Sequence, residues 1–155
     1  MDLSKVRGKW EDVRKALPTI FDSYEDELEQ APSRLSIAGK TGPEAQKEQC
    51  AWPAFYGMKK AEVSKLSKYL DARVHAVRGG LWKSYTMNNA RALGERVVDK
   101  YINHEEDYLR IYELFLEVEE LKEKFTAICD AFDRRGFALR DWTAIKIAQL
   151  EDELI

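Results

Sequence analysis

Between Ile111 and Phe132 an apolar residue recurs at alternating intervals of three and four: Ile111, Leu114, Val118, Leu121, Phe125, Ile128 and Phe132. That period keeps one stripe of a helical cylinder apolar and is incompatible with a strand, whose side chains alternate every second residue. Asn103 offers a cap, Glu106 stands three positions on to reach back, and Glu105, Glu106 and Asp107 suit the positive end of a helix dipole. Arg134-Arg135-Gly136 supplies a basic last turn and a glycine stop. The spacing predicts one helix over 103–135, about 30 residues and about 45 Å long. Phe115 and Cys129 widen its stripe, and Tyr112 and Leu116 lie away from it, so the helix calls for more than one neighbour.

The remaining chain reads as helix too. Leu3, Val6, Trp10, Val13 and Leu17 line one face of a helix that is expected to stop at Pro18, and Ile20, Phe21, Tyr24 and Leu28 suggest a short second one. Residues 31–43 carry Gly, Pro and Ser and read as a loop, with a further break at Trp52-Pro53. Val63, Leu66, Leu70, Val74, Val77 and Leu81 then define another helix, expected to end at Gly79-Gly80. A last helix runs through Trp142, Ile145 and Leu150, and there is neither a strand pattern nor an internal repeat. The fold class expected is all-α, an elongated helical protomer with one long helix in its C-terminal half. The 155 residues suit a single domain. It comprises N-terminal helices (1–30), a loop-rich segment (31–58), a basic helical region (59–100), and the long acidic helix with the C-terminal helix (101–155).

No run approaches the roughly 18 apolar residues of a membrane span, and the start, Met1-Asp2-Leu3-Ser4-Lys5, lacks a secretory core. Cys50 and Cys129, 79 residues apart, suit reduced thiols better than a disulfide framework. A cytoplasmic protein without membrane association is expected.

Charge is unevenly distributed. The chain as a whole carries a net −3, yet 59–100 holds ten basic residues against four acidic ones, a net +6. From 101 to 133 ten acids face three bases, a net −7. A local basic zone containing Trp82 and Tyr85 fits a phosphate backbone, with Arg73, Arg78 and Lys83 as phosphate contacts and an aromatic ring for unpaired bases. It fits equally a solvated helix that pairs with the acidic one.

Catalytic patterns are absent. Gly39-Lys40-Thr41 matches the end of a phosphate-binding loop, but Arg34 stands where its first glycine belongs, so the segment reads as a plain loop. His75 and His104 lack partners at metal-ligand spacing, and Ala72 and Tyr101 occupy the positions where a di-iron bundle needs glutamates. No enzyme activity, metal or cofactor is expected. The acidic run Glu117, Glu119, Glu120 and Glu123 reads as a solvated or partner-facing surface. The turn at Arg134-Arg135-Gly136-Phe137 can be read as a duplex-binding helix-turn-helix, with Asp130, Asp133 and Asp141 opposing that reading.

Three segments, spanning roughly 60–142, carry a resemblance to a known family: Leu70-Asp71-Ala72-Arg73 with Arg78-Gly79-Gly80-Leu81-Trp82, then 95–109 (ERVVDKYINHEEDYL), then 130–140 (DAFDRRGFALR). The sequence resembles the UvsY family of phage recombination mediators, which load a recombinase onto single-stranded DNA. The resemblance implies a homo-oligomeric, ring-like protein that binds single-stranded DNA coated by a single-strand-binding protein and delivers the recombinase. It further implies DNA contacts in the Leu-x-Ala-Arg segment. Arg73 holds the arginine position, while Asp71 stands where the family has a lysine. The DNA-binding set expected is Lys65, Lys68, Arg73, Arg78, Lys83 and Trp82. The oligomerisation set is Ile111, Leu114, Val118, Leu121, Phe125, Ile128 and Phe132. The alternative is a helical adaptor or structural homo-oligomer without nucleic-acid binding.

Overall fold

The computed structural model describes residues 10–88 and 94–152, and all the regular structure among them is helical. Four helices follow one another: α1 (Trp10–Leu35), α2 (Gly42–Asn88), α3 (Glu95–Ile102) and α4 (Glu106–Asp152). Leu3, Val6, Arg91 and the side chain of Leu150 lie outside the described residues. The chain forms two compact units, one drawing on Met1–Ala61 and Glu123–Ile155, the other on Glu62–Lys122.

In the first unit α1 presents Val13, Leu17, Ile20, Tyr24 and Ala31 to the core, opposite Ala45 and Tyr56 of α2 and Phe125, Phe132 and Leu139 of α4. Aromatic rings organise the contact: Tyr56 stacks on Phe132 at 5.4 Å and Tyr24 meets Phe125 edge-on at 5.7 Å. The Tyr56 hydroxyl donates to the Glu27 carbonyl at 3.0 Å, so the buried ring keeps its polar end satisfied.

A buried arginine ties the three helices together. The Arg135 side chain is only 5% exposed, and it donates to the carbonyls of Leu35 (3.1 Å) and Ala45 (3.3 Å) and to Gln49 Oε1 (2.8 Å). It also pairs with Glu48 at 3.1 Å. Leu35 closes α1, so the cation meets the negative end of that helix.

In the second unit Val63, Leu66, Leu70 and Val74 of α2 pack with Val98 and Ile102 of α3 and Tyr108, Ile111, Val118 and Leu121 of α4. Ser67 donates to Glu119 and Tyr85 donates to Glu105, which fixes α2 and α4 antiparallel in this unit. Lys122 grips Glu119 from the other side at 2.8 Å. Those two hydrogen bonds, Lys122 first and Ser67 second, hold the Glu119 carboxyl below its ordinary range.

Every expected helix break inside the chain proves milder than the sequence suggested. Pro18 does not end α1, because the buried stripe on both sides of it outweighs one missing backbone hydrogen bond. The loop expected over 31–43, and the loop-rich segment 31–58 around it, shrink to a connection of 36–41, and Pro53 lies inside α2. In that connection Gly39 takes a positive φ of 74°. Thr41 and Glu44 form a reciprocal cap: the Thr41 amide and hydroxyl each donate to Glu44 at 2.8 Å. These bonds lower the Glu44 pKa, the backbone one most. The Gly39-Lys40-Thr41 segment is therefore a turn and a helix cap.

Gly79-Gly80 stays helical inside α2, and α4 runs through Gly136 without a stop. At Gly136 the missing side chain serves packing: an added Cβ would lie 2.9 Å from Gln49 Nε2, which donates to the Phe132 carbonyl at 2.7 Å. Continuous helix through Gly136 removes the turn that a helix-turn-helix requires.

Candidate nucleic-acid interface

The buried row of α2 in the second unit is Val63, Leu66, Leu70, Val74, with Val77 and Leu81 half-buried beyond it. Displaced by two residues, the same 3-4-4-3-4 spacing gives Lys65, Lys68, Ala72, Ala76, Gly79 and Lys83. Two residues turn the helix by about 200°, so this second row falls on the opposite side, and all six of its members are exposed. From Lys65 to Lys83 the row extends about 27 Å. Three lysines stand along it, and only alanine and glycine lie between them, so the helix backbone is closely approachable. Among the described residues none of the three lysines forms an ion pair.

The other residues expected to contact DNA lie elsewhere. Arg73 and Arg78 occupy opposite flanks of α2, each half-buried. Arg78 is engaged: its Nη2 donates to Asp99 Oδ1 at 2.8 Å, a hydrogen bond that raises its already high pKa. Trp82 is half-buried one turn further along the Arg78 flank. Lys65, Lys68 and Lys83 are thus brought onto one face, and Arg73, Arg78 and Trp82 border it.

Sequence reasoning missed the contribution of α3. Tyr85 of α2 stacks on Tyr101 of α3 with ring centroids 5.6 Å apart and planes 19° from parallel. Tyr85 is oriented by its hydrogen bond to Glu105, which also raises the pKa of its phenol. The only sequence signal was the i, i+4 pairing of Arg96 with Lys100 and of Val97 with Tyr101, too short a pattern to stand out.

Five of the seven residues expected to drive oligomerisation are interior to the protomer. Ile111, Val118, Leu121, Phe125 and Phe132 are buried within the single chain, while Leu114 and Ile128 are half-buried. Within each unit the five buried side chains are covered by helices of the same chain. The side of α4 facing away from them in the second unit exposes Leu109, Tyr112 and Leu116.

Among the described residues there is no group of three or more His, Cys, Asp or Glu side chains able to hold a metal ion. Among the same residues no helix is long and apolar enough to cross a membrane. Comparisons with protein-family models, curated proteins and solved structures yield no match to this chain.

Proposed function

We propose that the protein is a recombination mediator that binds single-stranded DNA through the outward face of α2. In phage homologous recombination and repair it would help to load a recombinase onto DNA coated by a single-strand-binding protein, without catalysing a reaction. The observation that carries this reading is the exposed row Lys65, Lys68 and Lys83, separated along the row only by small residues and forming no ion pair among the described residues. The resemblance of 60–142 to the UvsY family points the same way.

Three lysines per protomer give a weak, salt-sensitive grip. A homo-oligomer multiplies that grip by avidity while each contact stays reversible, which permits handover to the recombinase. With five residues of the heptad stripe buried inside the protomer, assembly draws on exposed apolar positions such as Leu109, Tyr112 and Leu116. The acidic surface of α4 is left for protein partners, because it repels DNA.

The Arg78–Asp99 pair, which spends one cation of the 59–100 zone on an acid of the same zone, favours the alternative of a helical adaptor whose charges serve its own structure. Fluorescence anisotropy with single-stranded and duplex DNA at two salt concentrations separates the readings. Binding that prefers single strands and falls with salt supports the mediator. Replacing Lys65, Lys68 and Lys83 together with alanine should weaken binding and reduce the log-log salt slope by about 0.7 for each phosphate that is no longer neutralised. An unchanged slope in that variant would assign the lysine row to another purpose.

A further inference from the structure

The Tyr85–Tyr101 pair is a stack with one end open. Tyr101 is 51% exposed although Tyr85 covers one of its faces, and among the described residues no other ring or cation packs on it. Ring pairs inside a core are enclosed on both sides, as Tyr56 is by Phe125 and Phe132. Here the outer ring presents a bare π-face. It is also held in place, since the inner ring is fixed by the Tyr85 hydrogen bond to Glu105, and α3 is tied to α2 by Arg78 and Asp99.

The charge around this face is selective. Arg96 and Lys100, one turn apart on α3, are exposed and form no ion pair among the described residues. Two acids close in the chain are occupied, Asp99 by Arg78 and Glu105 by Tyr85, while Glu95 lies exposed in the first turn of α3. A flat, open aromatic face beside two unneutralised cations matches a ligand that alternates planar rings with anionic groups at short spacing. An unpaired nucleotide strand has that chemistry. A duplex does not, because its base faces are covered.

We infer that Tyr101 is a base-stacking platform: an unpaired nucleobase adds a third ring to the Tyr85–Tyr101 ladder, while Arg96 and Lys100 hold the adjoining phosphates. The inference rests on the single-strand-binding reading above and extends it, placing sequence-tolerant base contact on α3 and leaving the lysine row of α2 to the phosphate backbone. Trp82, expected from sequence to be the stacking residue, lies on the α2 flank between the two.

The test compares an oligothymidylate with an abasic strand of equal length, which keeps the phosphates and lacks the bases, titrated against the full chain and its Tyr101→Leu and Tyr101→Phe variants. The wild-type chain should bind the base-bearing strand more tightly, by about 5- to 150-fold for one stacked base. Tyr101→Leu should abolish most of that preference without changing affinity for the abasic strand, and Tyr101→Phe should keep it. Should Tyr101→Leu fail to fold, photocrosslinking of an iodouracil-substituted strand to the wild-type chain decides the matter: attachment at Tyr101 supports the platform, and attachment confined to other peptides overturns it. Equal binding of both strands, or a preference that survives Tyr101→Leu, overturns the platform while single-strand binding stands. Failure of the wild-type chain to bind either strand overturns both.

Discussion

The two units build stability from different materials. In the first, large rings (Tyr24, Tyr56, Phe125, Phe132) surround a buried arginine whose donors reach backbone carbonyls and side chains of two helices. In the second, mainly aliphatic side chains with Tyr108 form the core, and two of its polar connections, Arg78–Asp99 and Tyr85–Glu105, lie near the surface. Buried polar contacts are costly to break because water cannot replace them, whereas exposed ones exchange with solvent at little cost. The first unit is therefore specified from inside. The second carries its ionic and hydroxyl contacts at the surface.

The contrast is sharpest at the aromatic core. Phe125→Ala should destabilise the protein by about 3–5 kcal/mol, because removal of a fully buried ring leaves a cavity between Tyr24 and Tyr56. Chemical denaturation measures this, and a loss below about 1 kcal/mol would contradict the packing described. An acidic substitution at the same position tests folding of the protomer before it tests assembly.

Two arginines give the next largest difference. Arg135→Met removes the donor to the Leu35 carbonyl, to Gln49 and to Glu48, and should cost about 3 kcal/mol. Arg78→Met removes only a pair that is about 40% exposed on each side, and should cost less than about 1 kcal/mol. Equal effects in thermal melts would erase the distinction between the units.

Glycines divide the units in the same way. Gly79→Ala places its methyl group in open space on an exposed helical face, so it should stabilise by about 0.5–1 kcal/mol through helix propensity. Gly136→Ala gains the same propensity but pushes the amide of Gln49 away from Phe132 and Arg135, so it should be neutral or destabilising. The sign of the difference is the readout.

The smallest effect concerns pH. The folded state depresses the Glu119 pKa, so its stabilising contribution is complete above the unfolded value near 4.5 and is lost as pH falls below it. Glu119→Gln should flatten that part of the stability profile, by a fraction of a kcal/mol at this partly exposed site. An unchanged slope between about pH 5 and about pH 3 would mean that Glu119 gains nothing from Lys122 and Ser67.

Much of the helical pattern was legible from spacing. The stripe from Ile111 to Phe132 and the row from Val63 to Leu81 both lie on the inner side of their helices, because side-chain direction in a helix follows directly from residue number. The breaks were misread. Pro18, Pro53, Gly79-Gly80 and Gly136 each disfavour a helix locally, but the local penalty of one to a few kcal/mol is smaller than the burial gained by continuing the stripe. Of the candidate interface, the lysines were found because exposure opposite a buried row can be inferred from period alone. The engagement of Arg78 and the Tyr85–Tyr101 stack were not, since both depend on where α3 folds back against α2.

The sequence by itself determined that the chain is helical, which faces of α2 and α4 turn inward, and where positive and negative charge concentrate. Periodicity and composition carry that information without reference to any distant residue. Tertiary structure decided what the inward faces meet. The heptad stripe resembles an assembly surface in one dimension, but its five buried side chains are covered within each unit by helices of the same chain, and Arg135, which looked like a basic last turn, is buried across 100 residues against Leu35. Both outcomes depend on contacts between residues far apart in the chain. A local pattern specifies an apolar or charged face, and only the packed chain specifies its partner.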